Sequence, residues 1–178
     1  MPVNPRIPRL SNGLYWVSSA LLIVMPAVVI AALLQGWAAP AGIPMRFPGL
    51  PPETEITLAK AIAVTVIDTL ALIPMLTMLF QMRGLFDRYR HDEILSDTCA
   101  HHILRIGQSL LALAAITIGA PTLQLLLLTA DNPDGAKILS IAVDGTMLGL
   151  VLAGALLVTI GWVMREAARA AAENAEFI

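Results

Sequence analysis

Two aspartates lie inside long apolar stretches of this chain, and they are the residues best placed to do chemistry. Asp68 lies in the second stretch and Asp144 in the fourth, and each stretch has the roughly 20 residues that a helix needs to cross a bilayer. Ionisable residues in such helices commonly mark proton or cation sites. Thr65, nearly one helical turn away, can hydrogen-bond Asp68. Asp68 is therefore either a proton or cation site, or a protonated carboxyl group that hydrogen-bonds across helices.

The two aspartates are expected to lie at different depths. Asp68 is about midway along its stretch, and no Lys or Arg is expected at that depth, since Lys60 is eight residues away, about 12 Å along a helix. Asp144 is nearer the end of its stretch, where Lys60 and Lys137 are within reach. We therefore expect an ion pair or a hydrogen bond of structural kind at Asp144, for example with Lys60.

The other chemistry-bearing residues match no known catalytic or metal-binding pattern. His91, Cys99, His101 and His102 are close in the sequence, but their spacing fits no familiar zinc site. Phosphate-binding loops, zinc-binding His-Glu pairs and nucleophile elbows are absent from the sequence. We expect no metal and no cofactor, and we expect that the protein is not an enzyme.

Composition indicates the elements that hold these residues. The 178 residues are 57% hydrophobic and 13% charged, with a mean hydropathy of +0.77, whereas soluble domains have about 25% charged residues. The sequence predicts one all-α membrane domain over residues 1–178, a bundle of four transmembrane helices. The predicted spans are about 14–34, 56–82, 103–130 and 136–162, followed by a cytoplasmic helical tail over 163–178. Each of the three prolines inside these spans is expected to kink its helix: Pro26, Pro74 and Pro121.

The positive charges predict the orientation of the spans. Of the 11 Lys and Arg residues, eight fall on one side, and positive residues favour the cytoplasm. Both termini and the middle loop are therefore expected to be cytoplasmic. The eight are Arg6, Arg9, Arg83, Arg88, Arg90, Arg105, Arg165 and Arg169, against Arg46, Lys60 and Lys137 on the other side.

The loops differ in composition. Residues 35–55 contain five prolines, which argue against a regular helix, and the loop is expected to lie on the outer face of the bundle. Thr54 is the expected N-cap of the second span, and Ser96 is the expected N-cap of the third. Residues 131–135 are expected to form a tight turn.

Small residues recur at four-residue spacing in the fourth span, at Gly145, Gly149 and Ala153. Such a pattern lets two helix backbones approach closely. It is typical of a homodimer interface and equally of packing against another helix of the same chain.

Charged residues near the membrane on the cytoplasmic side are candidates for partner binding. Arg88 and Arg90 can contact lipid head groups or a protein. The alanine-rich tail carries Arg165 and Arg169 and ends in Phe177. The tail is either a docking segment for a partner or a solvated extension of the helix.

The middle loop and the tail carry a family resemblance. The loop reads RGLFDRYRHDEILS over residues 83–96 and is followed by ILRIG at 103–107, and the tail ends ENAEFI. These segments resemble the bacterial four-span membrane family catalogued as domain of unknown function 2975. Asp92 stands where that family usually has Gly, and Leu95 where it has Phe. The resemblance implies a small inner-membrane protein, often encoded beside a small helix-turn-helix regulator, and it brings no catalytic residues.

Three functions remain open at this level. The first is a regulatory or interaction protein that binds a protein partner through its cytoplasmic loop and tail. The second is an accessory subunit of a larger membrane complex. The third is a small proton-coupled transporter that works as a dimer. Direct binding of nucleic acid is not expected, because the net charge is −2 and no basic excess is present.

Overall fold

All regular secondary structure in the part of the chain that the structure describes is helical. The computed structural model describes residues 6–34, 39–47, 49–91, 93, 96–133 and 144–176, with side chains from residue 9 to residue 173. A 3₁₀ turn, Pro40–Gly42, precedes the second of six α-helices. These are α1 (Arg6–Leu34), α2 (Ile43–Arg46), α3 (Leu58–Leu70), α4 (Leu72–Arg90), α5 (Asp97–Leu128) and α6 (Gly145–Glu176).

Four segments are long and apolar enough to cross a membrane: Arg9–Leu34, Leu58–Arg90, Asp97–Leu128 and Gly145–Glu173. The predicted all-helical class with four spans is thus confirmed. The helices extend beyond the apolar stretches. Polar residues with high helix propensity follow these stretches and continue each helix outside the apolar region. The predicted start of the fourth span at residue 136 lies outside the described residues.

The second span consists of two helices with a break at Ala71. Pro74 has no N–H to donate to the carbonyl of Leu70, and its ring crowds that carbonyl, so the first helix ends one turn earlier. The predicted kink at Pro74 coincides with this interruption at Ala71, whose backbone keeps right-handed helical dihedral angles. Pro26 and Pro121 lie within α1 and α5 without dividing them.

The spans pack largely in chain order. Helix α1 packs on α4, α4 packs on α5, and α5 makes its most extensive contact with α6, while α3 leans on α5. At one end of this array lie residues 39–57, and we call that end the loop face. At the other end α6 runs on to Glu176, and we call that end the tail face.

The proline-rich segment is anchored in the core at the loop face. Ile43 is fully buried with Val64 and Leu128, and Phe47 and Leu50 pack against them. Contrary to the expectation that prolines exclude helix here, Ile43–Arg46 forms one helical turn, with Pro44 in its first turn, where its missing N–H costs nothing. The segment is therefore a packed part of the fold.

Polar contacts join the loop face to the end of α5. Asn132 donates its side-chain amide to the hydroxyl oxygen of Thr54 at 2.8 Å. Thr57, not the predicted Thr54, caps α3 by accepting from the backbone N–H of Lys60 at 3.3 Å. At the start of α5, Ser96 accepts from the N–H of Cys99, so the predicted cap of the third span is confirmed.

Candidate functional site

Asp68 is held by two partners from distant parts of the chain. The guanidinium of Arg46 forms an ion pair with its Oδ2 atom, and Gln124 on α5 donates its side-chain amide to Oδ1 at 2.6 Å. Gln124 is 3% exposed and also donates to the carbonyl of Val64 at 3.2 Å. The expectation that Asp68 has no charged partner is wrong, because α2 carries Arg46 back between the helices.

Asp68 lies in the half of the second span's helical segment that is nearer the loop face. It is the eleventh of the 33 residues of the span Leu58–Arg90, about 15 Å from the loop-face end and 33 Å from the tail-face end. The opposite surface is marked by Tyr15, whose ring lies 5.2 Å from the guanidinium of Arg83 and 4.6 Å from that of Arg90. Aromatic and basic residues of this kind are typical of a membrane interface. The helix continues eight residues past the predicted end of the span at residue 82, and the midway position of Asp68 in the bilayer stays a prediction.

A half-open cavity of about 220 Å³ lies beside Asp68. Its walls are mainly apolar, and the pair formed by Arg46 and Asp68 lies at its polar end. The lining residues are Val29, Ala32, Leu33, Arg46, Thr65, Asp68, Thr69, Ala71, Leu72 and Met75.

The threonines of the cavity hydrogen-bond their own helix. Thr65 donates its hydroxyl to the carbonyl of Ala61 at 2.9 Å, and Thr69 donates to that of Val66 at 2.8 Å. Thr65 therefore shares the cavity with Asp68 without donating its proton to it. Both hydroxyl oxygens keep the capacity to accept a hydrogen bond.

Lys60 and Asp144 do not form the predicted pair. The Lys60 ammonium group donates to the carbonyls of Leu128 at 3.0 Å and Glu55 at 3.2 Å, and it pairs with Asp131 at 3.1 Å. Asp144 immediately precedes α6, and its Oδ1 accepts from the N–H of Met147 at 2.8 Å. Asp144 is thus an exposed N-cap, a position that aspartate favours strongly, and its predicted place inside a helix is wrong.

The glycines that pack within the chain are not those that the spacing indicated. A Cβ added at Gly145 or Gly149 would meet nothing within 4 Å, and Ala153 is exposed. The interpretation that these residues pack within the chain is therefore wrong for the described residues. Helices α5 and α6 instead approach at Gly107, Gly154 and Gly161, where an added Cβ would lie 2.6 to 2.9 Å from the facing helix.

The predicted partner-binding residues lie at the tail face. Arg88 pairs with Glu93 at 2.6 Å and Arg90 with Asp87 at 3.7 Å. Arg165 pairs with Asp97 at 3.1 Å, and Arg169 is exposed. Phe177 lies outside the described residues.

The histidines and the cysteine near the tail face make separate contacts. His102 forms a hydrogen bond with Gln81 at 2.6 Å, and His91 contacts the carbonyl of Asp87 at 2.8 Å. Cys99 is fully buried and donates its thiol to the carbonyl of Glu93 at 3.0 Å. The bond of His102 joins α5 to α4, whereas the other two contacts are between residues close in the chain.

Arg46 and Gln124 were not predicted as site residues, although the sequence carries a signal for both. Gln124 is an amide within a run of leucines, and Arg46 is a charge between Met45 and Phe47. A polar group among apolar neighbours must find a partner when it is buried, and each has found Asp68.

The fold and this polar site define a multi-pass α-helical membrane protein with four spans. A family model described as "Protein of unknown function (DUF2975)" matches residues 11–178 of the chain. The chain therefore belongs to that family. No curated protein and no solved structure matches the chain.

Proposed function

We propose that this protein is a small interaction or regulatory protein of the bacterial inner membrane, with its tail face in the cytoplasm. It holds a protein partner there through the connection between α4 and α5 and through the free end of α6. The family's four-span layout and the sequence resemblance support the bacterial location. The resemblance also points to a small helix-turn-helix regulator as the first partner to examine.

The observation that carries the proposal is the length of α6. Asp97, the first residue of α5, pairs with Arg165, and α6 continues to Glu176. These eleven further residues extend about 16 Å. Between Glu166 and Glu173 every side chain is exposed except Ala168, which is half-buried. A helix that leaves its own bundle and presents small and charged side chains is a suitable surface for another helix.

The charge distribution supports the orientation. In the described ranges the tail face carries Arg83, Arg88, Arg90 and Arg165, whereas Arg46 and Lys60 are the basic residues near the loop face. An excess of Lys and Arg beside the spans favours the cytoplasmic side. A partner in the cytoplasm would then meet the end of α6 first.

Truncation tests the docking role. The protein is purified from its native membrane in mild detergent, intact and with residues 170–178 removed, and the co-purifying proteins are identified by mass spectrometry. This truncation leaves the Arg165–Asp97 pair in place. We expect the partner to fall at least about tenfold, equivalent to the loss of about 1.4 kcal/mol of binding, while the amount of inserted protein stays the same.

A substitution that leaves the tail intact is the matched control. Leu156→Ala changes a side chain on α6 that is 60% exposed within the span, and it should retain the partner. If the truncated protein retains every partner of the intact protein at equal yield, the docking role of α6 is wrong. If Leu156→Ala loses the partner as well, contact occurs within the membrane.

Loss of the partner in the Leu156→Ala variant would support the alternative of an accessory subunit in a larger membrane complex. The exposed small residues Gly145, Gly149 and Ala153 favour it, because they offer a close approach to a helix of another subunit or of a second copy. The third alternative, proton-coupled transport through Asp68 in a dimer, has less support. Asp68 forms an ion pair with Arg46 and a hydrogen bond with Gln124. The proline-rich segment that carries Arg46 is packed against the core.

A further inference from the structure

The cavity beside Asp68 lies where the second span is interrupted at Ala71. Asp68 lines it from α3, Leu72 and Met75 line it from α4, and residues of α1 form its opposite wall. We call this space between α1 and the second span the wedge. The ion pair of Arg46 and Asp68 forms its polar end, and Leu72 and Met75 belong to its apolar wall.

The wedge lies toward the loop-face end of the spans. Val29, Ala32 and Leu33 line it from α1, and they lie within about 8 Å of Leu34, the last residue of that helix that the structure describes. A lipid of the same leaflet could therefore place its head group at the polar end while its chain enters the apolar part.

The polar end carries one charge of each sign. Arg46 and Asp68 form an ion pair, and their side chains are 30% and 36% exposed. A guanidinium has five donors and a carboxylate about four acceptor positions, of which Asp68 uses two for Arg46 and Gln124 among the described residues. A head group with both an anion and a hydrogen-bonding cation would complete an alternating ring of four charges.

We propose that the wedge binds a zwitterionic phospholipid whose head group ends in a primary ammonium, as in phosphatidylethanolamine. The phosphate lies against Arg46 and the ammonium group donates to Asp68. The first part of an acyl chain fills the space between Ala32, Leu72 and Met75.

The size of the cavity fits this occupant. An apolar protein cavity of about 150 Å³ holds benzene, with its six carbon atoms. In the same proportion, about 220 Å³ holds roughly nine non-hydrogen atoms. That corresponds to about the first half of a phospholipid acyl chain, and the remainder of the lipid stays in the bilayer.

The choice of head group is the sharpest test. Delipidated protein in detergent is mixed with phosphatidylethanolamine, phosphatidylcholine or phosphatidylglycerol of identical acyl chains, and bound lipid is measured by native mass spectrometry. We expect phosphatidylethanolamine to bind about tenfold better than the other two, because it alone has a cation that can also donate a hydrogen bond to Asp68. The ammonium group of phosphatidylcholine has no N–H, and the head group of phosphatidylglycerol has hydroxyl groups but no cation. Equal binding of the three lipids would refute the proposal.

Two tryptophan substitutions test the location. Ala32→Trp fills the wedge from α1, whereas Ala31→Trp adds the same group at the neighbouring, exposed position. Ala32→Trp should lower binding of phosphatidylethanolamine about tenfold, the effect of losing the chain contact, and Ala31→Trp should leave it unchanged. Equal binding by the two variants would place the lipid elsewhere.

Asp68→Asn tests the role of the carboxylate without changing the shape of the site. The preference for phosphatidylethanolamine over phosphatidylcholine should fall to within about twofold, because the amide no longer attracts the ammonium charge. A preserved preference would show that Asp68 does not bind the head group. Far-ultraviolet circular dichroism of each variant verifies that the helices are intact.

Discussion

Asp68 shows how one side chain depends on residues far along the chain. In the sequence it is an isolated acid among apolar residues, and its apparent role is titration. In the folded protein Arg46 and Gln124 hold both of its oxygens. The ion pair also ties the proline-rich segment to the second span, so its first role is to hold the loop face together.

A double-mutant cycle measures that role. Arg46→Leu and Asp68→Leu should each lower the free energy of unfolding by about 1–3 kcal/mol, between the values for exposed and buried pairs, because each removes the ion pair and keeps the other charge. The double variant should lose less than the sum of the two. Unfolding in mixed detergent micelles, followed by circular dichroism, gives the three values, and strictly additive losses would show that the pair contributes no coupling.

At the scale of elements, glycines decide how closely helices meet. Gly161 allows the backbone of α5 to come so near that an added Cβ would lie 2.8 Å from the nitrogen of Leu104. Gly149 on the same helix faces open space. The four-residue spacing identified small residues on α6 correctly but could not say which side of the helix meets α5.

Substituting these two glycines separates packing from helix propensity. Gly161→Ala should lower the free energy of unfolding by about 1–3 kcal/mol, because the new methyl group forces α5 and α6 apart. Gly149→Ala should raise it by about 0.5–1 kcal/mol, since alanine favours a helix over glycine. Thermal unfolding in one detergent compares them, and a gain in stability for Gly161→Ala would contradict the close approach.

At the scale of the whole molecule, the protein is an array of four spans with a packed loop at one face and a free helix at the other. Its outer members, α1 and α6, present broad apolar surfaces. In the most apolar part of each of the four spans, only 6% to 22% of the residues are buried within the chain. Such surfaces are suited to contact with lipid or with neighbouring subunits, whereas soluble molecules can contact the loop face and the tail face.

Thiol labelling tests the orientation of this array. Cys99 is fully buried, so cysteines placed at Met45, which is 89% exposed at the loop face, and at exposed Glu173 on α6 report the two sides. A membrane-impermeant maleimide on intact spheroplasts should label Met45→Cys alone, since positive charge favours a cytoplasmic tail face. Glu173→Cys should react only after the membrane is opened.

The unchanged protein is the background control in that experiment, because its buried thiol should stay unlabelled. Labelling of Glu173→Cys on intact spheroplasts, with protection of Met45→Cys, would reverse the orientation.

The sequence by itself determined the features that depend on residues close to one another along the chain. Four apolar stretches of sufficient length predict four spans whatever their arrangement. Pro74 predicts a kink in the second span, because its missing N–H removes a backbone hydrogen bond to the carbonyl only one turn earlier. Ser96 predicts a helix start for the same local reason.

Only the tertiary structure decided which side chains meet. Arg46 and Gln124 are 22 and 56 residues from Asp68, and Lys60 is 71 positions from its partner Asp131. Such contacts depend on the tilt and rotation of whole helices, which the packing of many side chains sets together. Composition carries no information on that rotation, and for this reason an aspartate that looked isolated in the sequence is paired in the fold.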